Sequence, residues 1–396
     1  MTAENNIFTD KGLEDEIREI RRHLHQYPGL SEHEEESAAY LAEKLEQWGI
    51  PYEMVLDGTG IVAVLQGDSE GPVVGLRADI DALPVQEETG LPYASKIPGV
   101  MHACGHDAHA AILMGVAKVL SGMSCRLKGT VKFFFQPAEE SVGGAQRMID
   151  AGCLENPHVD YVLGLHVAPE YETGQVGIRY GKMYAASDMI DITVRGKGAH
   201  GAQPEAGVDS IMAAAAILNG IQPVISRNVA PTDSAVCSIG KIRGGTVRNQ
   251  IADCVEMSGI IRTLDPKTRI DVRNRIRTAA EGIGRIMGAE VDFHVTVSYG
   301  PLINDDAVTS AVERNAKELL GGENVFREEV PELGCEDFSY FAAARPACYF
   351  HLGCSSPEAA PDQRPVLHNS CFQIDEHCMM TGVALQVKNV LALLET

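Results

Sequence analysis

Side chains that bind divalent cations are concentrated in one short stretch of the chain, MHACGHDAH. Its ligand-type residues are Cys104 and His106, two positions apart, with His102, Asp107 and His109 beside them. Thiolate, imidazole and carboxylate groups are the ligands that borderline divalent metals prefer. The stretch therefore predicts a metal site. The alternative for Cys104 and His106 alone is a buried thiol beside a surface histidine.

Other polar side chains follow three segments that read as strands. Asp79 follows PVVGLRA, the pair Glu139 and Glu140 follows GTVKFFFQ, and His166 closes YVLGLHV. Because the carboxyl ends of parallel strands meet at one edge of an α/β sheet, we expect these side chains to lie together there. His368, in VLHNS, is a further candidate ligand.

The adjacent glutamates, Glu139 and Glu140, can divide two tasks of metal-dependent hydrolysis. One carboxylate binds the cation, while the other stays unbound and takes a proton from the attacking water. Two neighbouring acids are more often simply solvated, so the pair has weight only together with the other ligands.

The pattern of the elements that position these residues predicts an α/β fold. Strands alternate with helices up to residue 185 and again from residue 299, which indicates a mostly parallel sheet with right-handed crossovers. Residues 186–298 instead alternate in strand fashion and predict two helices on a four-stranded sheet, a smaller α+β domain. We therefore expect a catalytic metal-binding domain at 1–185 and 299–396, with 186–298 inserted into it.

Composition narrows the class of protein. A chain of 396 residues is long for one hydrophobic core, so two domains are expected. The formal net charge of -22 and the lack of a basic face argue against nucleic-acid binding. The ten cysteines include no C-x-x-C pair, the first ten residues are polar, and no apolar run approaches a membrane span. These features favour a reducing, cytoplasmic location.

Several common cofactor-binding and catalytic motifs are incomplete or absent in this sequence. GKGAHG at residues 196–201 matches a dinucleotide fingerprint, but Pro204 delays the helix and residues 210–232 contain no acid for a ribose. GQVGIRYGKM lacks the spacing and the Ser/Thr of a phosphate-binding loop, and the chain has neither G-x-S-x-G nor H-E-x-x-H.

Motifs along nearly the whole chain resemble those of the co-catalytic metal aminoacylase and carboxypeptidase family. The nearest branch contains hippurate hydrolases, N-acyl-amino-acid amidohydrolases and plant auxin-conjugate hydrolases. The matching segments are RRHLHQYPGLSEHE, GLRADIDALPVQEETGLPYAS, MHACGHDAH, FFFQPAEE, GLHV, GAHGAQP, TVRNQIAD, GIIRT, CEDFSYF and LHN.

The resemblance implies a catalytic domain with two divalent metal ions and an inserted dimerisation or lid domain. By motif position the implied metal ligands are Cys104, His106, Glu140, His166 and His368. Cys104 would bridge the two ions, since a thiolate can bind both. Glu139 would be the general base, and Asp79 would support a ligand from behind.

In the inserted domain, His200, Asn249 and Arg262 match residues that hold the substrate carboxylate or the developing oxyanion. Asn249 and Arg262 could instead only cap or pair within the sheet. Two positions depart from the family pattern: Glu205 stands where this branch often has histidine, and Arg77 stands where many wider relatives have one.

The predicted function is metal-dependent hydrolysis of the amide bond of N-acyl amino acids or similar small conjugates. The ligand set admits Mn, Zn, Co or Ni, and the resemblance implies a homodimer or higher homo-oligomer. A dipeptidase or carboxypeptidase on the same scaffold, a non-catalytic metal-binding homologue and a cysteine hydrolase using Cys104 remain as alternatives. Five convergent ligands argue against the last, because a thiol nucleophile needs one histidine and an oxyanion hole.

Overall fold

The computed structural model describes residues 7–396. Within them the longer helices are α1 (Lys11–Gln26), α2 (Glu35–Gln47), α3 (His106–Ser121), α4 (Gly144–Asp150), α5 (Ser210–Asn228), α6 (Pro266–Ile286), α7 (Asp306–Leu320), α8 (Ser339–Ala344) and α9 (Cys378–Leu394).

The strands follow the same chain order. They are β1 (Tyr52–Val55), β2 (Gly60–Gln66), β3 (Ser69–Asp79), β4 (Lys128–Gln136), β5 (Tyr161–Glu172), β6 (Val176–Ile178), β7 (Gly181–Tyr184), β8 (Ala186–Arg195), β9 (Ala199–His200), β10 (Ala235–Gly244), β11 (Gln250–Ile251), β12 (Cys254–Thr263), β13 (Glu290–Val297), β14 (Leu302–Asn304), β15 (Val325–Arg327) and β16 (Ala347–Ser355).

Contacts divide the chain into two compact units. The second unit is Lys182–Leu302 with Val330–Glu336, and the first contains the other described residues. The sequence placed the inserted domain at 186–298, and its role as a dimerisation or lid domain stays a prediction.

The first unit is built on an eight-stranded sheet in the order β1-β2-β4-β3-β5-β16-β6-β15. The central strands β4, β3, β5 and β16 are parallel to one another, whereas β1 and β2, β2 and β4, and β16 and β6 pair antiparallel. The predicted α/β class with a mostly parallel sheet is confirmed. The central strands are almost wholly buried because helices cover both faces.

Helix α3 is the central helix of the first unit, and its sequence explains its position. HDAHAAILMGVAKVLS is apolar nearly all round, and such a helix is stable only when protein surrounds it. It packs against α1, α9 and β3. Its first turn, which contains His106, Asp107 and His109, is therefore buried.

The second unit has a four-stranded antiparallel sheet in the order β10-β12-β8-β13, with α5 and α6 packed together. Its core is separate and includes Ile192, Ile217, Met257 and Ile276. The predicted small α+β arrangement of two helices on four strands is confirmed.

One predicted strand boundary was wrong. The strand expected to end at His166 continues to Glu172, because its pairing with β16 runs past His166 even though its pairing with β3 stops at Gly164. In the described chain no helix is both long and apolar enough to cross a membrane.

Candidate metal centre

The predicted ligands come from four segments of the first unit and meet at one edge of its sheet. Cys104 lies just before α3 and His106 is its first residue, His166 lies in β5, Glu140 lies in the turn after β4, and His368 lies in the loop before α9. Strands β3, β4 and β5 all run toward this edge, which is why sequence-distant donors converge there.

The donor atoms form two groups that share one sulfur atom. In Cys104, His106 and His166 the potential ligand atoms all lie within 4.8 Å of one another, and the same holds for Cys104, Glu140 and His368. Sulfur, nitrogen and carboxylate donors at such spacing suit first-row divalent cations. Cys104 is the member that could serve both groups.

His106 is oriented so that one ring nitrogen faces the cluster. Its Nδ1 donates to the carbonyl oxygen of Asp81 at 3.0 Å and lies 3.1 Å from the Asp81 carboxylate. Its Nε2 is buried and has no hydrogen-bond partner among the described residues. A buried nitrogen without a partner is costly unless something else occupies its lone pair, so this atom fits a metal ligand.

His166 presents its Nε2 in the same way. Its Nδ1 donates to the backbone carbonyl of Val167 at 2.7 Å, and its Nε2 lies 3.4 Å from the Cys104 sulfur. Burial and the neighbouring His109 ring hold the pKa of His166 well below its usual value. The ring is therefore neutral, as a ligand must be.

Cys104 and His106, unlike His166, must each lose a proton before they can bind a cation. Burial raises the pKa of the Cys104 thiol well above its usual value. Burial acts to lower the pKa of His106, but the neighbouring Asp79 carboxylate helps to raise it well above its usual value. Without metal both groups hold protons, and a cation would replace those protons with its own positive charge.

The turn after β4 brings both glutamates to the cluster. Glu140 Oε1 lies 3.2 Å from His368 Nε2 and 3.9 Å from His106 Nε2. Glu139 is buried, and its carboxylate lies within 4.8 Å of ligand atoms of His106 and Glu140. The pair thus offers two carboxylates at different positions beside the same donors.

Asp79 contacts His109 and Arg77 behind the donor cluster. Its Oδ1 accepts a hydrogen bond from His109 Nδ1 at 2.6 Å, and its Oδ2 accepts one from Arg77 Nη1 at 2.6 Å. His109 Nε2 in turn accepts the backbone N–H of Val167 at 2.9 Å. Both nitrogens of His109 are thereby occupied, so His109 positions the strand that contains His166 and is not available to a metal.

Arg77 places a buried cation beside Asp79. Its side chain is fully buried and also donates to Asp337 at 2.6 Å and to Gln136 at 2.8 Å. Burial acts to raise the pKa of Asp79, but Arg77 and the two histidines hold that pKa well below its usual value. Asp79 is therefore ionised.

Sequence reasoning missed Asp81, which contacts the site at two points. Besides His106, the Asp81 carboxylate accepts the backbone N–H of Glu140 at 2.9 Å. Its place two residues beyond Asp79 in RADID was the available signal, because a strand-end loop at this edge faces the site.

The three predicted substrate residues belong to the second unit. His200 and Asn249 are neighbours there, because β9 pairs with β11 and Gly201 N donates to the Asn249 carbonyl at 2.8 Å. Both side chains are exposed. His200 Nδ1 accepts the backbone N–H of Ala202 at 3.1 Å, which leaves Nε2 as the donor. Arg262 lies in β12 and its Nη1 has no hydrogen-bond partner within residues 7–396.

The fold and the set of metal-type donors are together those of a metal-dependent hydrolase. Residues 75–390 match peptidase family M20/M25/M40, and the chain belongs to this family. It is accordingly an enzyme that hydrolyses amide bonds.

Three similar proteins agree with this classification. An N-acetyl-L-cysteine deacetylase of Bacillus subtilis is 39% identical over 376 residues, which cover 95% of this chain and 88% of that protein. Thermostable carboxypeptidase 1 of Saccharolobus solfataricus is 38% identical over 378 residues, covering 93% of each. The crystal structure of the Bacillus subtilis YXEP protein, a dinuclear metal-binding peptidase, has a TM-score of 0.84 and 34% identity and covers 98% of this chain and 100% of that one.

Proposed function

We propose that this enzyme binds two divalent metal ions per subunit and hydrolyses the amide bond of N-acyl amino acids or similar small conjugates. The main support is the pair of donor groups that share Cys104, with Glu139 beside them. The similarity to a dinuclear metal-binding peptidase and to an N-acetyl-L-cysteine deacetylase supports the metal count and the substrate class.

Each ligand has a separate role in this proposal. Cys104, His106 and His166 would hold one ion, and Cys104, Glu140 and His368 would hold the other. Bound divalent cations would polarise the acyl carbonyl and lower the pKa of the attacking water. Manganese, zinc, cobalt and nickel all suit such mixed donors.

Glu139 is the proposed general base. Its carboxylate lies close to the donor atoms while Glu140 is the one within 3.2 Å of His368. Glu139 takes the proton from the attacking water and returns it to the nitrogen of the leaving amine, so one carboxylate serves both halves of the reaction. Asp79 acts through His109, which it orients toward the backbone next to His166.

His200, Asn249 and Arg262 are the proposed substrate-binding groups. The Nε2–H of His200 and the unpaired Nη1 of Arg262 are donors of the kind that bind a carboxylate or a developing oxyanion. If they serve only the second unit's own sheet, alanine at each position will leave KM and kcat unchanged. A homodimer or higher oligomer, and a cytoplasmic location, are also proposed; light scattering of the purified protein tests the first.

The Glu139→Gln substitution tests the mechanism. It keeps the shape of the side chain and removes its basicity, so we expect kcat to fall by about 10²–10⁴-fold. Metal content, measured by elemental analysis, should stay at two ions per subunit. Glu70→Gln, at an exposed position in β3, is the control and should match wild type. Undiminished turnover in Glu139→Gln would refute the assignment.

A substrate panel separates the proposal from its alternative, a carboxypeptidase or dipeptidase, which the similarity to thermostable carboxypeptidase 1 favours. We expect metal-reconstituted enzyme to have higher kcat/KM for N-acetyl and N-benzoyl amino acids than for dipeptides. The reverse order would favour the peptidase. Loss of activity on chelation with recovery on metal addition would exclude a cysteine hydrolase, and no hydrolysis of any amide would favour a non-catalytic homologue.

A further inference from the structure

The turn that contains both site glutamates has an unusual backbone. Ala138, just before Glu139, has a φ of 59°, in the left-handed region that side chains other than glycine rarely adopt. Its carbonyl oxygen accepts a hydrogen bond from the N–H of Gly143 at 2.9 Å. Such a conformation persists only when surrounding groups hold it.

Glu34 provides one contact that holds this turn. Its Oε1 accepts the N–H of Ala138 at 2.8 Å and the N–H of Glu32 at 3.0 Å. The residue is fully buried, at 0% exposure, although it lies 104 positions from Ala138 in the sequence. A buried glutamate is unusual, and here its carboxylate accepts a hydrogen bond from a backbone N–H of the turn that contains Glu139 and Glu140.

The same loop between α1 and α2 makes a second contact. Ser31 Oγ donates to Asp81 Oδ2 at 2.6 Å, and that oxygen also accepts Glu140 N. The other carboxylate oxygen of Asp81 lies beside His106 Nδ1. Ser31 therefore constrains a carboxylate that contacts both a candidate ligand ring and the backbone of the second glutamate.

The loop is shaped to reach this position. Gly29 O accepts Ala82 N at 2.8 Å, which ties the loop to the segment just after Asp81. A Cβ at Gly29 would lie 2.5 Å from the carbonyl oxygen of His33 and 2.8 Å from the Cα of Glu34, so only glycine permits the tight approach.

We propose that Glu34 and Ser31 are positioning residues for the metal centre: from the loop between the first two helices they hold the turn of Glu139 and Glu140, and the Asp81 carboxylate, in the arrangement that binds metal and aligns the base. This inference rests on the proposed function for the roles of Glu139 and Glu140. What matters is an acceptor oxygen at the position of Glu34 Oε1, and not the charge of the side chain.

Three substitutions test the proposal, and the two at Glu34 separate the length of its side chain from its charge. Glu34→Asp keeps the charge but shortens the side chain, so the oxygen no longer reaches Ala138 N. Glu34→Gln keeps the oxygen and removes the charge. Ser31→Ala removes only the hydroxyl that contacts Asp81. Glu36→Gln, at an exposed position of α2, is the matched control.

The first readout is Zn²⁺ affinity of metal-free protein, measured by competition with a chromophoric chelator and without substrate. The second is kcat and KM of metal-saturated enzyme, with circular dichroism to show folding. We expect Glu34→Asp to weaken metal affinity and lower kcat by about 10–100-fold with KM within threefold. Ser31→Ala should weaken affinity by about 3–10-fold, and Glu34→Gln and Glu36→Gln should stay within threefold of wild type.

The proposal is overturned if both Glu34→Asp and Ser31→Ala keep wild-type Zn²⁺ affinity and kcat. If Glu34→Asp does not fold, the same result for Ser31→Ala alone overturns it. It is also overturned if folded Glu34→Gln loses more than tenfold in either, because charge would then be the property required. A purely structural role would lower the melting temperature and leave both readouts unchanged. Because the metal measurement uses no substrate, its outcome is separate from any failure of the proposed hydrolysis.

Discussion

Replacing Arg77 with methionine should destabilise the first unit strongly. The guanidinium is completely buried and donates hydrogen bonds to Asp79 at 2.6 Å, to Asp337 at 2.6 Å and to Gln136 at 2.8 Å. Methionine fills much of the volume but leaves Asp79 and Asp337 without their shared cation. The loss is therefore one of charge compensation more than of packing.

The size of the effect follows from what the two carboxylates retain. Breaking a buried ion pair by removing one partner costs about 3–5 kcal/mol. Asp79 keeps its bond to His109, and Asp337 keeps bonds to Gln136 and to the backbone N–H of Ala145. We therefore expect the low end, a decrease of about 3 kcal/mol in the free energy of unfolding.

Urea unfolding of metal-free protein, with chelator present, measures this decrease. The Arg77 charge helps to hold the pKa of Asp79 well below the unfolded value of about 3.9. In wild type that stabilisation is fully present above the unfolded pKa and is lost as pH falls below it. The difference between wild type and Arg77→Met should therefore be largest above about pH 5 and shrink below about pH 4.

Arg147→Met is the control. Arg147 forms an ion pair with Glu32 at 3.5 Å, and both side chains are about half exposed, so its loss should cost no more than about 1 kcal/mol. If Arg77→Met were no less stable than Arg147→Met at pH 7, the buried ion network would contribute nothing and the reasoning would be wrong.

Three further predictions concern the metal centre. Asp81→Asn should weaken metal affinity by about 10–100-fold, because asparagine has one acceptor oxygen where the site uses two; unchanged metal titration would contradict this. Gly144→Ala should lower the free energy of unfolding by about 1–3 kcal/mol, measured in urea, since its Cβ would lie 1.9 Å from the carbonyl oxygen of Pro137; full stability would show that the turn can shift. Cys104→Ala should bind at most one ion per subunit by elemental analysis, and two ions would exclude a bridging role for the sulfur.

Much of the site could be predicted because it depends on chain direction. Cys104, Glu140 and His166 each follow or lie in a segment recognisable as a strand or helix start, and parallel strands end at the same edge. The positions of these donors were therefore readable without knowing any side-chain contact. His102 shows the limit of this logic: it lies in the same motif, but its buried ring nitrogens contact none of the donors.

The groups that orient the donors could not be read in this way. Arg77 contacts Asp337 across 260 positions, and Glu34 contacts Ala138 across 104. Neither contact leaves a periodic or local signal, because it depends on how the helices and loops close over the sheet. The prediction that a strand ends at His166 was wrong for a similar reason, because the length of β5 is set by its pairing with β16.

By itself the sequence determined the fold class, the two kinds of domain and the identity of the metal-type donors, because hydrophobic period and strand polarity are local properties of the chain. Tertiary structure alone decided that His109 is occupied by Asp79 and Val167, and that Glu34 contacts the turn after β4. These are choices among hydrogen-bond partners, and a buried polar group's partner is settled only when the surrounding segments pack.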